Sequence, residues 1–162
     1  MSTLKVNNLT DLGDDPIVTD GALIGAGKIL QVVRGVDSTQ RTTTSSAFVD
    51  TGLSVTITPT SATSTILVQW FGIVRTSASS GASYASLAIT DSSDTKLQGA
   101  QRMIFGDGDL AIYGPVAMLG YDSPATTSAT TYKARFRINS GASIFLDNDQ
   151  STATLIAYEV AG

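Results

Sequence analysis

Tyr121-Asp-Ser-Pro-Ala-Thr-Thr-Ser-Ala-Thr-Thr-Tyr-Lys-Ala-Arg-Phe-Arg-Ile138 divides into two halves. The first half is a connection. Asp122, Ser123 and Pro124 are turn formers, and Pro124 fixes its own φ while lacking a ladder donor. The second half alternates. Tyr132, Ala134, Phe136 and Ile138 share one face, and Thr131, Lys133, Arg135 and Arg137 share the other. A period of two with one apolar side means a half-buried strand of an antiparallel sheet.

Strands of this kind recur at short intervals on both sides of that stretch. Lys28 to Arg34 opens the globular part, and a Ser/Thr-rich loop follows from Asp37 to Ser46. Phe48 and Val49 lead into Leu53 to Thr58, which Pro59 terminates. Thr65 to Arg75 reads as the central strand. Its Trp70 is a core residue or, less ordinarily, a platform for a sugar ring. A Ser, Ala and Gly run from Thr76 to Ser83 reads as a loop. Tyr84 to Thr90 sets Ala85, Leu87 and Ile89 against Tyr84, Ser86 and Ala88. Gln98 to Phe105 is expected at a sheet edge, and Leu110 to Tyr121 forms a long strand with a bulge or bend at Gly114-Pro115. Ala142 to Leu146 and Ala153 to Val160 close the sheet. The spacing predicts an all-β antiparallel sandwich, jelly-roll-like. No helical period and no internal repeat competes with it.

Residues 1–27 differ from the rest. Gly, Asn and Asp interrupt any long element, yet Leu4, Val6, Leu9, Leu12, Ile17, Val18, Leu23 and Ile24 recur often enough to anchor. We read Met1 to Gly27 as an extended arm that docks on a partner surface, and Lys28 to Gly162 as the sandwich domain. The N-terminus carries no apolar signal-peptide core, so synthesis and residence in a cytoplasm before assembly are expected. No apolar run reaches membrane-spanning length, and the longest, Ile66 to Val74, fits a buried strand.

The composition excludes several chemistries. The chain has no Cys, so neither disulfides nor thiolate metal sites are available. It also has no His, which removes Ser-His-Asp and Cys-His catalysis and His-ligated zinc. The formal net charge of -4 argues against a nucleic-acid partner. Only 15% of residues are charged, and Ser and Thr take their place, giving an uncharged, hydroxyl-rich exterior.

Three constellations remain. Lys133, Arg135 and Arg137 crowd one strand face. They either meet an anionic partner or pair with acids such as Asp147, Asp149 or Glu159. Asp107-Gly-Asp109 and Asp147-Asn-Asp149 have a spacing that can begin a calcium site, but Asp and Asn also build turns, and neither pair carries the rest of an EF-hand loop. Two carboxylates could hydrolyse a glycan, but no motif assembles an acid, a base and a pocket. No metal, cofactor or enzymatic activity is expected.

Several blocks, taken in order, resemble the small surface proteins of tailed bacteriophages, notably those of cyanobacterial hosts. They are Met1-Ser-Thr-Leu-Lys-Val-Asn7, Gly27-Lys-Ile-Leu-Gln-Val-Val33, Phe48-Val-Asp-Thr-Gly-Leu-Ser-Val-Thr-Ile-Thr-Pro59, Ser64-Thr-Ile-Leu-Val68, Asp122-Ser-Pro-Ala-Thr-Thr-Ser-Ala-Thr-Thr-Tyr132 and Ala153-Thr-Leu-Ile-Ala-Tyr-Glu-Val-Ala161. The segment Thr76 to Asp109 matches least. The resemblance implies a trimeric, jelly-roll-like virion protein. One role is capsid decoration or cement, docked on the major capsid protein through the arm. Another is a tail-fibre protein, bound to a tail or baseplate and holding host glycan. A glycan depolymerase is a third.

Overall fold

The computed structural model describes residues 9–10, 16–19, 22–23, 27–77, 83–106, 112–141 and 143–162. Three short strands come first: β1 (Leu9–Thr10), β2 (Pro16–Thr19) and β3 (Ala22–Leu23). They form a small antiparallel sheet of their own. Ten further strands form the main body. They are β4 (Ile29–Asp37), β5 (Arg41–Thr43), β6 (Val49–Ile57), β7 (Thr65–Thr76), β8 (Ser83–Thr90), β9 (Lys96–Gly106), β10 (Tyr113–Asp122), β11 (Thr130–Ser140), β12 (Ile144–Leu146) and β13 (Ala153–Val160).

The long strands run in the order β4-β13-β7-β10-β9-β8-β11-β6, all pairs antiparallel. The halves β4-β13-β7-β10 and β9-β8-β11-β6 are joined by one described pair, Tyr121 with Gln98. The sheet therefore folds over on itself there. Counting only these eight strands in chain order, one half reads first, eighth, third, sixth, and the other fifth, fourth, seventh, second. That is the double-sheet jelly-roll order, a way of keeping few free edges. Strands β12 and β5 extend the first sheet beside the end of β7.

The core lies between the two inner faces. Trp70, Val68 and Ile66 of β7 and Leu155 and Ala157 of β13 face Tyr132, Ala134 and Phe136 of β11 and Leu53, Val55 and Ile57 of β6. All four apolar positions of the Tyr132–Ile138 face are buried, as the alternation requires. The connection before it is latched to it: the Tyr132 hydroxyl donates to Asp122 at the end of β10 across 2.9 Å. Burial, and then that hydrogen bond and the charges of Asp122 and Asp91, push the Tyr132 phenol well above its ordinary value.

The structure corrects four expectations. Gln98 to Phe105 is not an edge; it lies in β9, between β8 and β10. Gly99, at φ +78°, lies in the bulge that shifts the β8–β9 register between Lys96 and Gln101. Gly114-Pro115 makes no bulge, because β10 pairs with β7 in unbroken register from Tyr113 to Asp122. Pro115 is accommodated because the described ladder on the far side of β10 is confined to Tyr121. Val49 and Leu53 to Ile57 belong to one strand, β6, interrupted by a bulge at Gly52 with φ +83°. Thr51 closes that bulge by donating to the Ala134 carbonyl and accepting from the Leu53 amide. Finally, Ser86 and Ala88 are buried rather than solvent-facing. They lie opposite Arg137 and Arg135 in the ladder, whose long stems cover them. Residues 78–82, 107–111 and 142, which include the Asp107-Gly-Asp109 pair, lie outside the described residues.

The outer strands β4 and β6 of the two sheets also approach one another, and Gly35 of β4 faces the Ser54 backbone of β6. A Cβ there would collide with the backbone carbonyl of Ser54, which cannot swing away as a side chain would. At Gly114 a Cβ would meet nothing within 4 Å. Gly35→Ala is expected to lower the unfolding free energy by about 1–3 kcal/mol. Gly114→Ala is expected to be neutral or slightly stabilising. Urea unfolding midpoints of the two variants check the pair.

Candidate functional surfaces

The outer face of the second sheet carries the cationic strand. Lys133 lies 2.6 Å from Asp94, Arg135 pairs with the same carboxylate, and Arg135 also reaches Asp50 at 3.5 Å. Asp94 sits at φ 67° in the turn before β9, a left-handed conformation Asp tolerates. Its hydrogen bonds to Lys133 and then Arg135 hold its carboxyl below the ordinary value. Two of the three cations are thus neutralised across strands. The acids are Asp94 and Asp50, not the expected Asp147, Asp149 and Glu159. Arg137 stacks on Phe48, 4.8 Å from the ring centre, and meets no carboxylate among the described residues. Lys96 lies over the same ring at 6.0 Å.

The other acids tie the ends of the sandwich. Asp147 is buried and accepts from Arg75 at 3.0 and 3.3 Å and from Gln40 at 2.9 Å. Asn148 donates to Asp37 at 3.0 Å. The backbone of Asp147 accepts from Gln150 and Ser151, so Asp147-Asn-Asp149 is a turn, the plainer of its two readings. At the opposite end Glu159 points inward from β13. Its carboxylate accepts from Gln31 at 2.7 Å and from the Thr60 amide and hydroxyl at 2.7 and 2.8 Å. Burial works to raise its pKa, but the hydrogen bonds from Gln31 and Thr60 outweigh that and bring it to about 2.

A polar cavity of about 360 Å³ opens at the corner between the sheets, lined by Asp91, Lys96, Gln98, Tyr121, Asp122 and Ser123 among others. Asp91 is committed to its own turn, accepting from the Ser93 and Thr95 amides at 2.8 Å each. Asp122 accepts from Tyr132.

The outer face of the first sheet is of the opposite character. Val32, Val36, Phe71, Tyr113, Leu119 and Tyr121 are all exposed there. Sequence reading missed this surface, although Ile66 to Val74 gave the signal. Leu67, Phe71 and Ile73 alternate with Ile66, Val68, Trp70 and Val74, so both sides of the strand carry apolar residues.

Among the arm residues, Leu9, Val18 and Leu23 fall in one row of the β1-β2-β3 ladder. Ile17 belongs to β2. Leu4, Val6, Leu12 and Ile24 lie outside the described residues.

No protein-family model matches the chain, and no curated protein matches it in sequence. Solved structures do align with it. The VP2 protein of infectious bursal disease virus in T=1 particles aligns at 16% identity and TM-score 0.38, over 95% of this chain and 41% of that one. The T13 particle of the same virus aligns at 14% identity and TM-score 0.42, over 94% and 40%. The exo-β-1,3-galactanase of Phanerochaete chrysosporium aligns at 13% identity and TM-score 0.28, over 85% and 30%. The chain thus spans about two-fifths of the length of the capsid chains.

Glu159 yields a test with a definite sign. A carboxyl whose folded pKa is depressed contributes stability fully present above its unfolded value and lost as pH falls through the folded one. Here the window runs from the ordinary 4.5 down to about 2. Glu159→Gln is expected to destabilise the fold at pH 7. The deficit relative to the parent chain should shrink steadily below about pH 4.5, as measured by urea unfolding at a series of pH values.

Proposed function

We propose that this chain is a non-enzymatic structural protein of a tailed-phage virion, and that it decorates or cements the capsid by docking residues 1–27 on the major capsid protein. The observation that carries this reading is the placement of the phage-like sequence blocks. Five of the six fall on or between core-forming elements: the start of β4, the whole of β6, the start of β7, the β10–β11 connection and β13. The resemblance therefore tracks the jelly-roll framework rather than a loop or a single motif. The exterior suits the role. Its charges are sparse and, on the strand richest in cations, mostly neutralised by Asp94 and Asp50.

A second reading, a tail-fibre or receptor-binding protein, is favoured by the polar corner cavity. Its carboxylates, Gln98, Lys96 and the exposed Tyr121 ring are groups that hold a glycan by hydrogen bonds and stacking.

Quantitative mass spectrometry of purified particles separates the two. Near-stoichiometric abundance relative to the major capsid protein is expected for decoration. A few to a few tens of copies would replace that reading with the fibre. Removal of residues 1–27 is expected to abolish loading onto particles while leaving the sandwich folded; loading by the truncated protein would overturn arm docking.

A further inference from the structure

We propose that the outer face of β4-β13-β7-β10 is an interface between copies of this chain, each copy covering that face of another. The inference stands independently of where the protein resides. Strand register arranges the face in rows. Val32, Tyr158, Leu67 and Tyr121 lie side by side across the four strands. The next row is Arg34, Ile156, Gln69 and Leu119, and the next Val36, Thr154, Phe71 and Ala117. Ile73 and Pro115 continue it. Arg34 is the sole formal charge in the three full rows, and it sits on the outermost strand, where the rim of an interface would stay wet. Arg75 closes one end of the face, stacked 3.9 Å from the Phe145 ring centre and neutralised by Asp147.

Size argues that something covers this surface. Four strands about 4.8 Å apart, over the stretch of β10 from Ala117 to Asp122 that they share at about 3.3 Å per residue, give a flat footprint of roughly 400 Å². The largest apolar patch on a soluble monomer is typically about 300–600 Å² and is often functional, so a face of this extent marks an interaction surface.

Chemistry selects the occupant. The face presents no carboxylate and one peripheral cation, so a strongly charged partner has nothing to meet. An acidic chain of net charge -4, with no ring of cations around the face, is poorly matched to an anionic lipid surface. Branched aliphatics with Tyr and Phe, without Lys, Asp or Glu, are the composition of a protein interface core. A second copy supplies the same uncharged rows, and two like sheets pack face to face at about 10 Å with interdigitating side chains. Asp50 and Asp94 lie on the opposite sheet's face, so pairing through this one does not press like charges together. Closed homo-oligomers are the commonest outcome of such self-complementarity.

The test uses the full chain in solution. Sedimentation velocity and native mass spectrometry at micromolar concentration are expected to show a closed homo-oligomer. Phe71→Glu and Leu119→Glu are each expected to weaken it at least about 30-fold, as for a central interface residue. Met103→Glu, at a still more exposed apolar position on the other sheet, is expected to leave it intact. An oligomer that survives both face variants would overturn the proposal. Should those variants fail to fold, the unmodified chain still decides. Its melting temperature is expected to rise with protein concentration, because association stabilises the folded state by mass action. A monomer at every concentration, with a constant melting temperature, would overturn the proposal.

Discussion

The sheet β4-β13-β7-β10 is apolar on both faces, and the jelly roll covers only one of them. Inward, Trp70, Val68, Leu155 and Ala157 meet the second sheet and are fully buried. Outward, Phe71, Leu119 and Tyr121 on neighbouring strands remain exposed. Strand geometry makes this unavoidable, since adjacent residues point to opposite sides. Trp70 and Phe71 cannot both enter the same core. The second sheet has no such conflict. Its outer side carries Lys133, Arg135 and Arg137 over small residues, with Asp94 and Asp50 returning the charge.

Polar groups then hold the ends. Glu159, Gln31 and Thr60 close one end of the sandwich, and Asp147, Arg75, Gln40, Asn148 and Asp37 close the other. Buried acids are tolerable only when their oxygens are satisfied, and both are. Each network joins segments far apart in sequence. Gln31 and Glu159 bring the first and last long strands together, and Arg75 and Asp147 join β7 to the turn after β12. Gly35 and Gly120 serve the same closure by absence: a Cβ at Gly120 would stand 2.5 Å from that of Ala100. Among the described residues, carboxylates that look available for chemistry in the sequence are largely committed to architecture.

Much of the fold was legible because alternation is a strong signal. The Tyr132–Ile138 face, the stop at Pro59 and the closing strand from Ala153 to Val160 all follow from period and punctuation. What failed depended on non-local partners. Whether Gln98 to Phe105 is an edge is decided by β8 and β10, which no local pattern records. The Gly114-Pro115 step looked like a bulge because glycine and proline usually mark one. The long, uninterrupted β7 beside it holds the register straight. The cationic strand was legible, but its partners were not. Asp94 and Asp50 reach it across the sheet, and proximity in sequence gave no hint of either. The second apolar face was visible in Leu67, Phe71 and Ile73 of β7, and only the topology shows that β13, β4 and β10 extend it.

The most direct test is hydroxyl-radical footprinting of the native protein, with each side chain's reactivity normalised to its value in the unfolded chain. Phe71, Leu119 and Tyr121 are expected to be strongly protected, beyond what their exposure in a single chain allows, while Met103 on the opposite sheet reacts freely. Equal reactivity on the two outer faces would contradict a first sheet buried on both sides.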